Sequence, residues 1–590
     1  MKFNSWKIAG DQLQTRWAKD INPDCPFPEY PRPQMMREEW MNLNGLWNYA
    51  ITSKSIKMIK SFEGTILVPF AVESALSGVM RKLKPKERLW YQRTFIIPNS
   101  WNGKRILIHF GAIDWEATVW INGTRIGDHQ GGNVPFSFDI SEALHIKGLN
   151  EIIVSVWDPT NKGGVERGKQ TLKPYGIKYN AMSGIWQTVW LEPVNDVFID
   201  SLKIESDIDN KILRCKVNTL NAQRENKIII SILSEKKEIV TESGEVAKQF
   251  ELKIPNVRLW CPDDPFLYDL SIKIENNGKI LDAISSYFGM RKISMKEDEH
   301  GFQRILLNYK TIFQFGTLDQ GYWPDGLYTA PTDEALKYDI EVTKELGFNL
   351  IRKHVKVESA RWYYHCDKLG MLVWQDMPNG GKMGIIHMMI GLLKAKKNRE
   401  HRRKELEKKR YYNELKSMIN FLYNSPCIVV WVPFNEGWGQ FDTKKTVDFV
   451  RELDSTRLID SASGWHDLGV GDIADCHKYI GPAIPDNIKG RAAVCGEFGG
   501  LGLKIKGHMW KKKIKFVYRF FKDSAHLTRK YAELIEKLKN FIPKGLCAGI
   551  YTQLTDVEGE VNGLLTYDRE VIKMEKQRIN ELNTNLLNNS

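Results

Sequence analysis

The sequence has no cysteine framework. Its eight cysteines include no Cys-x-x-Cys pair and no zinc-ligand spacing, and Cys427, Cys495 and Cys547 lie in apolar runs. They read as reduced, buried small hydrophobes, and no metal site is expected. An apolar leader is also missing, because Met1-Lys2-Phe3-Asn4-Ser5-Trp6-Lys7 contains none. The longest apolar cluster, Met383 to Leu393, falls short of the roughly 20 residues a membrane-spanning helix needs. A soluble, cytoplasmic protein is expected. Evenly spread positive charge is lacking too. The net charge is +13, but Lys394 to Arg410 holds ten Lys/Arg against three Glu, and Lys504 to Lys515 holds six Lys and no acid. These two segments carry the whole excess. The remainder is formally neutral, which argues against nucleic-acid binding by a generally basic surface.

What is present is length and aromatic wealth. A chain of 590 residues exceeds one ordinary core, so three or four domains are expected. The 19 Trp suit sugar-stacking floors as well as core packing. Residues 1–195 read as antiparallel β. Ala117-Thr118-Val119-Trp120-Ile121 runs into Asn122-Gly123, the strongest short hairpin signal. Residues 196–293 continue as β, with Asn276-Asn277-Gly278 as a further turn, and some seven strands fit an immunoglobulin-like sandwich. From residue 294 to 590 helical periodicity alternates with short apolar runs. Eight candidate strands lie at 312–318, 349–354, 371–376, 428–435, 457–461, 473–479, 492–497 and 546–553. Eight is the number of a (β/α)8 barrel.

Two of these strands end alike. Cys427-Ile428-Val429-Val430-Trp431-Val432-Pro433-Phe434 is an apolar run suited to a strand buried on both faces, and it stops at Asn435-Glu436-Gly437. Ala492-Ala493-Val494-Cys495 runs into Gly496-Glu497-Phe498-Gly499-Gly500. A barrel places its chemistry at the carboxyl ends of its strands. A carboxylate there can also merely cap the next helix. A pair of them is what glycoside hydrolysis requires: one protonates the leaving oxygen, the other attacks the anomeric carbon or activates water.

Asn435-Glu436 followed by Glu497-Phe498-Gly499 resembles glycoside hydrolase family 2, which contains β-galactosidases, β-glucuronidases and β-mannosidases. Leu43-Asn44-Gly45-Leu46-Trp47, Ser183-Gly184-Ile185-Trp186, Trp260-Cys261-Pro262, Phe288-Gly289-Met290-Arg291 and Asn562-Gly563-Leu564 extend the likeness over nearly the whole chain. The resemblance implies a jelly-roll sugar-binding-like domain, able to lend a loop to the active site, then an immunoglobulin-like domain and a catalytic barrel. It implies Glu436 as acid/base and Glu497 as nucleophile, with Glu497's charge raising the pKa of Glu436. Asn435 is expected on the sugar 2-hydroxyl, with Arg352, His354 and Tyr479 around the nucleophile. Trp323, Trp438 and Trp465 are candidate sugar-stacking rings. Asp319-Gln320, Gln553, Asp556 and Glu558 either read sugar hydroxyls or cap loops.

Departures from the family bear on substrate. The β-glucuronidases hold the sugar carboxylate with an Asn-x-Lys pair, whereas Gly559-Glu560-Val561-Asn562-Gly563 has no lysine, so glucuronide hydrolysis is not expected. The large β-galactosidases carry an Asp shortly before Ser-Gly-Ile, beside a sodium ion. Here Lys178-Tyr179-Asn180-Ala181-Met182 precedes Ser183. The expectation is a retaining exo-β-glycosidase acting on a carbohydrate, β-galactosidase-like at first reading, without cofactor. A transglycosylase or a non-catalytic carbohydrate-binding protein are the alternatives. The two basic segments fall on loops of the catalytic face. They read as packed helices with solvated lysines, or as a rim for an anionic glycan or membrane surface.

Overall fold

The computed structural model describes residues 6–381, 400–486, 488–511 and 519–589. The first body is a sandwich. A six-stranded antiparallel sheet runs in the order Gly64–Val68, Gly45–Ser53, Glu87–Phe95, Asn150–Trp157, Glu116–Ile121, Thr124–Gln130. It covers a four-stranded sheet of Met41–Asn42, Val189–Val194, Arg105–Phe110 and Phe136–Asp139. Ala117, Val119 and Ile121 alternate into the shared core with Ile66, Ile108, Val154 and Leu191. Asn122 and Gly123 take φ of +49° and +81°, the left-handed pair a two-residue hairpin turn demands.

The second body has the seven strands expected. Phe198–Asp207, Ile212–Leu220 and Gln249–Lys253 form one sheet; Lys237–Glu245, Lys227–Ser234, Tyr268–Asn276 and Lys279–Phe288 form the other. Two of the motifs noted above join this sandwich to the barrel. Trp260 Nε1 donates to Asp367 O at 2.7 Å, and Arg291 donates to Pro426 O and Ile428 O at 2.9 and 2.7 Å.

The third body is the barrel. Its strands are β1 (Gln314–Asp319), β2 (Leu350–Lys353), β3 (Leu372–Asp376), β4 (Ile428–Val432), β5 (Leu458–Ile459), β6 (Ile473–Lys478), β7 (Ala492–Gly499) and β8 (Leu546–Thr552). All eight expected runs are strands. They pair in parallel in sequence order from β1 to β5, and from β6 through β7 and β8 back to β1. The ring is open only between β5 and β6. Among the described residues no α-helix joins β5 to β6 or β6 to β7, so the βα alternation lapses on that side. All five residues of β4 are buried, because helices cover its outer face and side chains fill the barrel.

The sandwich lends the barrel a strap, residues 165–181. Arg167 and Gly168 donate backbone N–H bonds to Asn379 O, beyond β3, at 3.1 and 2.9 Å. A Cβ on Gly168 would lie 2.5 Å from Val355 O, so only glycine permits this approach. Glu166 takes both terminal nitrogens of Arg403. Beyond β8, Glu558 accepts from Asn180 N and Nδ2 at 2.7 and 2.8 Å, and Glu560 accepts from the Tyr179 hydroxyl.

Of the first basic segment, Arg403 is therefore a buried tie rather than a solvated rim charge. Residues 394–399 lie outside those described, as do 512–515 of the second. Among the described residues no helix is long and apolar enough to cross a membrane. The eight cysteines are unpaired, with Cys427, Cys495 and Cys547 buried.

Candidate active site

The carboxyl ends of β2, β4, β6 and β7 converge on Glu436 and Glu497. Glu436 follows β4 with φ of +51°, a strained conformation for a non-glycine residue and one found at functional sites. Glu497 lies within β7. Its neighbour Gly496 is dictated by packing: a Cβ there would fall 2.0 Å from Asp475 Oδ2. Gly496 N instead donates to Asp475 Oδ1 at 2.6 Å.

Glu436, His477 and Glu497 each bring a polar atom within 4.8 Å of the others. The Tyr479 hydroxyl bridges the carboxylates, 3.0 Å from Glu436 Oε1 and 2.8 Å from Glu497 Oε2. It has one proton and donates to one of them at a time. His477 Nδ1 lies 2.9 Å from Glu436 Oε1 and 3.5 Å from Glu497 Oε1. Its Nε2 meets Ser463 Oγ at 2.9 Å, and Ser463 donates on to Asp475. Burial alone would keep this imidazole neutral, but Glu497, Asp475 and Glu436 push its pKa well above the usual histidine range.

That charge reverses the expectation for Glu436. Burial lifts its pKa, yet the hydrogen bond and charge of His477, with Lys169 and Tyr479, hold it below the ordinary carboxylate value. A cation stands between the two carboxylates, and it outweighs their repulsion. Sequence reasoning stopped at Tyr479 and missed His477, although Asp475, His477 and Tyr479 alternate along one strand and so share a face.

Arg352 and His354 lie where expected, at the end of β2. Arg352 forms a two-point pair with Asp376 at 3.0 and 3.0 Å, reaches Asn435 Oδ1 at 2.8 Å, and stands 3.5 Å from Glu497 Oε1. His354 Nδ1 bonds Asp376 at 2.8 Å. Burial and the charge of Lys169 keep this ring neutral.

Other candidates are placed differently. Trp323 is 1% exposed, edge-on to Trp17 and covered by Arg569 at 3.8 Å, so it offers no face to a sugar. Trp438 is also buried, and Lys178 Nζ stands 3.2 Å over its ring centroid, occupying the face a sugar would stack on. Its Nε1 has no partner and remains free to donate. Trp465 is half-buried. Asp319 is buried against Lys353 and the N–H of Gly321, and Asp556 against Lys573 at 2.6 Å and the N–H of Gly563. Both carboxylates are therefore structural pairs rather than hydroxyl readers. Gln553 donates to Asn562 Oδ1 at 2.8 Å and keeps Oε1 without a partner.

Known proteins give this geometry its context. Family models match the chain in succession: the glycosyl hydrolases family 2 sugar binding domain at residues 40–193, the family 2 domain at 194–291, and the family 2 TIM barrel domain at 304–485. A β-galactosidase of Thermoanaerobacter pseudethanolicus is 27% identical over 389 residues, 62% of this chain and 47% of that protein. A putative β-glucuronidase of Formosa agariphila is 26% identical over 389 residues, 62% of this chain and 42% of that protein. The match thus spans under half the length of these two relatives. The crystal structure of Ruminococcus gnavus β-glucuronidase shares the fold, with a TM-score of 0.75 at 18% identity, over 95% of this chain and 99% of that one. The three matched domains follow one another in the order of the three bodies described above, and the chain belongs to the glycosyl hydrolases of family 2.

Proposed function

We propose that the protein is a retaining exo-β-glycosidase in which Glu497 is the nucleophile and Glu436 the acid/base. The observation that carries this is the spacing of the two carboxylates, with oxygens within 4.8 Å of each other and one tyrosine hydroxyl bridging them. Retaining enzymes hold their carboxyl groups about 5–5.5 Å apart, whereas inverting ones need about 6.5–9.5 Å to admit a water. Glu497 attacks the anomeric carbon while Glu436 protonates the departing oxygen. Glu436 then deprotonates the water that releases the sugar. Arg352 and Tyr479 hold the nucleophile's carboxyl group in place, and the proton Glu436 delivers is held between it and His477. Asn435, oriented by Arg352, faces the sugar 2-hydroxyl. Trp438 Nε1 and Gln553 Oε1, both unsatisfied, are further contacts for hydroxyls. The strap closing one side of the mouth supports attack at a chain end.

β-Galactosides and β-glucuronides stand on equal terms as substrates, since the curated relatives carry both names. The test is a panel of p-nitrophenyl β-glycosides, pyranosides and furanosides, with Glu497→Ala as control. Turnover of at least one, lost by a thousandfold or more in the variant, is expected. A wild-type protein that cleaves none, or a variant as active as wild type, contradicts the proposal.

A further inference from the structure

The strap carries four cations, of which Lys173 is exposed and Arg167, Lys169 and Lys178 are not. Its one carboxylate, Glu166, is taken by Arg403 at 2.6 Å. Arg167, Lys169 and Lys178 form no ion pair among the described residues. Residues 382–399 and 512–518, outside those described, contain no Asp or Glu and so supply no counter-charge. Lys169 is only 6% exposed, and its nearest aromatic contact is the Tyr179 ring, 5.6 Å away. Lys178 lies over Trp438. The three charges bear on one another: burial, then Arg167 and Lys169, hold Lys178 well below the usual lysine range. Grouping buried like charges without a partner costs free energy, and an anion removes that cost.

The position of the cluster says which anion. Gly168 packs on Val355 O just beyond β2, Arg167 and Gly168 bond Asn379 O beyond β3, and Lys178 lies over Trp438, two residues past Glu436, so the cluster borders the mouth of the barrel on the side of Glu436. The loop after β8, which holds the far end of the strap, is already satisfied. Asn562 is bonded to Glu560 and Gln553, and Lys573 is committed to Asp556. We propose that Lys169 and Lys178, backed by the charge of Arg167, form a subsite for a carboxylate or sulfate carried by the sugar whose bond is cleaved. The inference rests on the glycosidase reading of this pocket. It assigns recognition of an acidic sugar to the first sandwich rather than to the loop after β8.

The experiment compares kcat/KM for p-nitrophenyl β-D-glucuronide, β-D-galacturonide and 6-sulfo-β-D-galactoside with their neutral counterparts. At least one anionic substrate is expected to exceed its neutral partner tenfold or more. Lys169→Met and Lys178→Met should each lower that ratio at least tenfold. Lys178→Arg should largely keep it, as should Lys237→Met, which removes an exposed charge on the second sandwich. Preference for neutral sugars, or an unchanged ratio in both methionine variants, overturns the subsite while leaving the glycosidase reading intact. If no glycoside is cleaved, calorimetry with D-glucuronate, D-galacturonate and galactose 6-sulfate decides. Binding tighter than that of galactose and lost in Lys178→Met supports the subsite, and its absence overturns it. Thermal melting of each variant separates lost recognition from lost folding.

Discussion

Nδ1 of His477 lies 2.9 Å from Oε1 of Glu436, and this contact sets the protonation of the whole site. The imidazole is buried among Glu436, Glu497 and Asp475, and its pKa is raised well above the unfolded value of about 6.5. A raised folded-state pKa stabilises the protein fully below the unfolded value, and that stabilisation is lost as pH rises through the folded one. Replacing His477 by Gln keeps a donor but removes the charge. The melting-temperature gap between wild type and His477→Gln should be largest below about pH 6.5 and narrow as the solution becomes alkaline. A gap that is constant or widens with pH contradicts a charged His477.

Gly496 offers a test of the backbone. A methyl group at this position would collide with Asp475, the carboxylate that supports His477 through Ser463. Gly496→Ala should lower kcat by tenfold or more with little change in KM, because the displaced carboxylate supports His477 rather than the sugar. A rise in KM with kcat intact would place Asp475 in substrate binding instead.

Trp323 separates packing from recognition. It is enclosed by Trp17 and Arg569, so Trp323→Ala leaves a cavity and should destabilise by about 3–5 kcal/mol. Below its melting temperature the variant should keep the wild-type KM. A stable variant with a raised KM would restore the ring to the sugar site.

The fold was legible because its signals are local. Apolar runs of strand length, alternating with helical periodicity, marked all eight barrel strands, and Asn-Gly pairs marked hairpin turns. The strand-to-carboxylate endings at Glu436 and Glu497 were equally local. What escaped depends on contacts between distant segments. His477 and Asp475 were within reach, since period two from Tyr479 puts them on the same face of β6. Lys178 was not, because nothing in its neighbourhood announces that the strap crosses the barrel mouth and sets it on Trp438. Trp323 was misplaced for a related reason, and for Asp319 and Asp556 the capping alternative is the one the structure bears out. A residue at the end of a barrel strand can turn toward the pocket or into the wall, and only its partners decide which.

The most direct test of the account is the anomeric configuration of the first product. Proton NMR of a cleaved β-glycoside, recorded before mutarotation, should show the β-anomer appearing first, as two successive displacements at Glu497 and water require. Initial release of the α-anomer would contradict the assignment of Glu497 as nucleophile, and with it the double displacement.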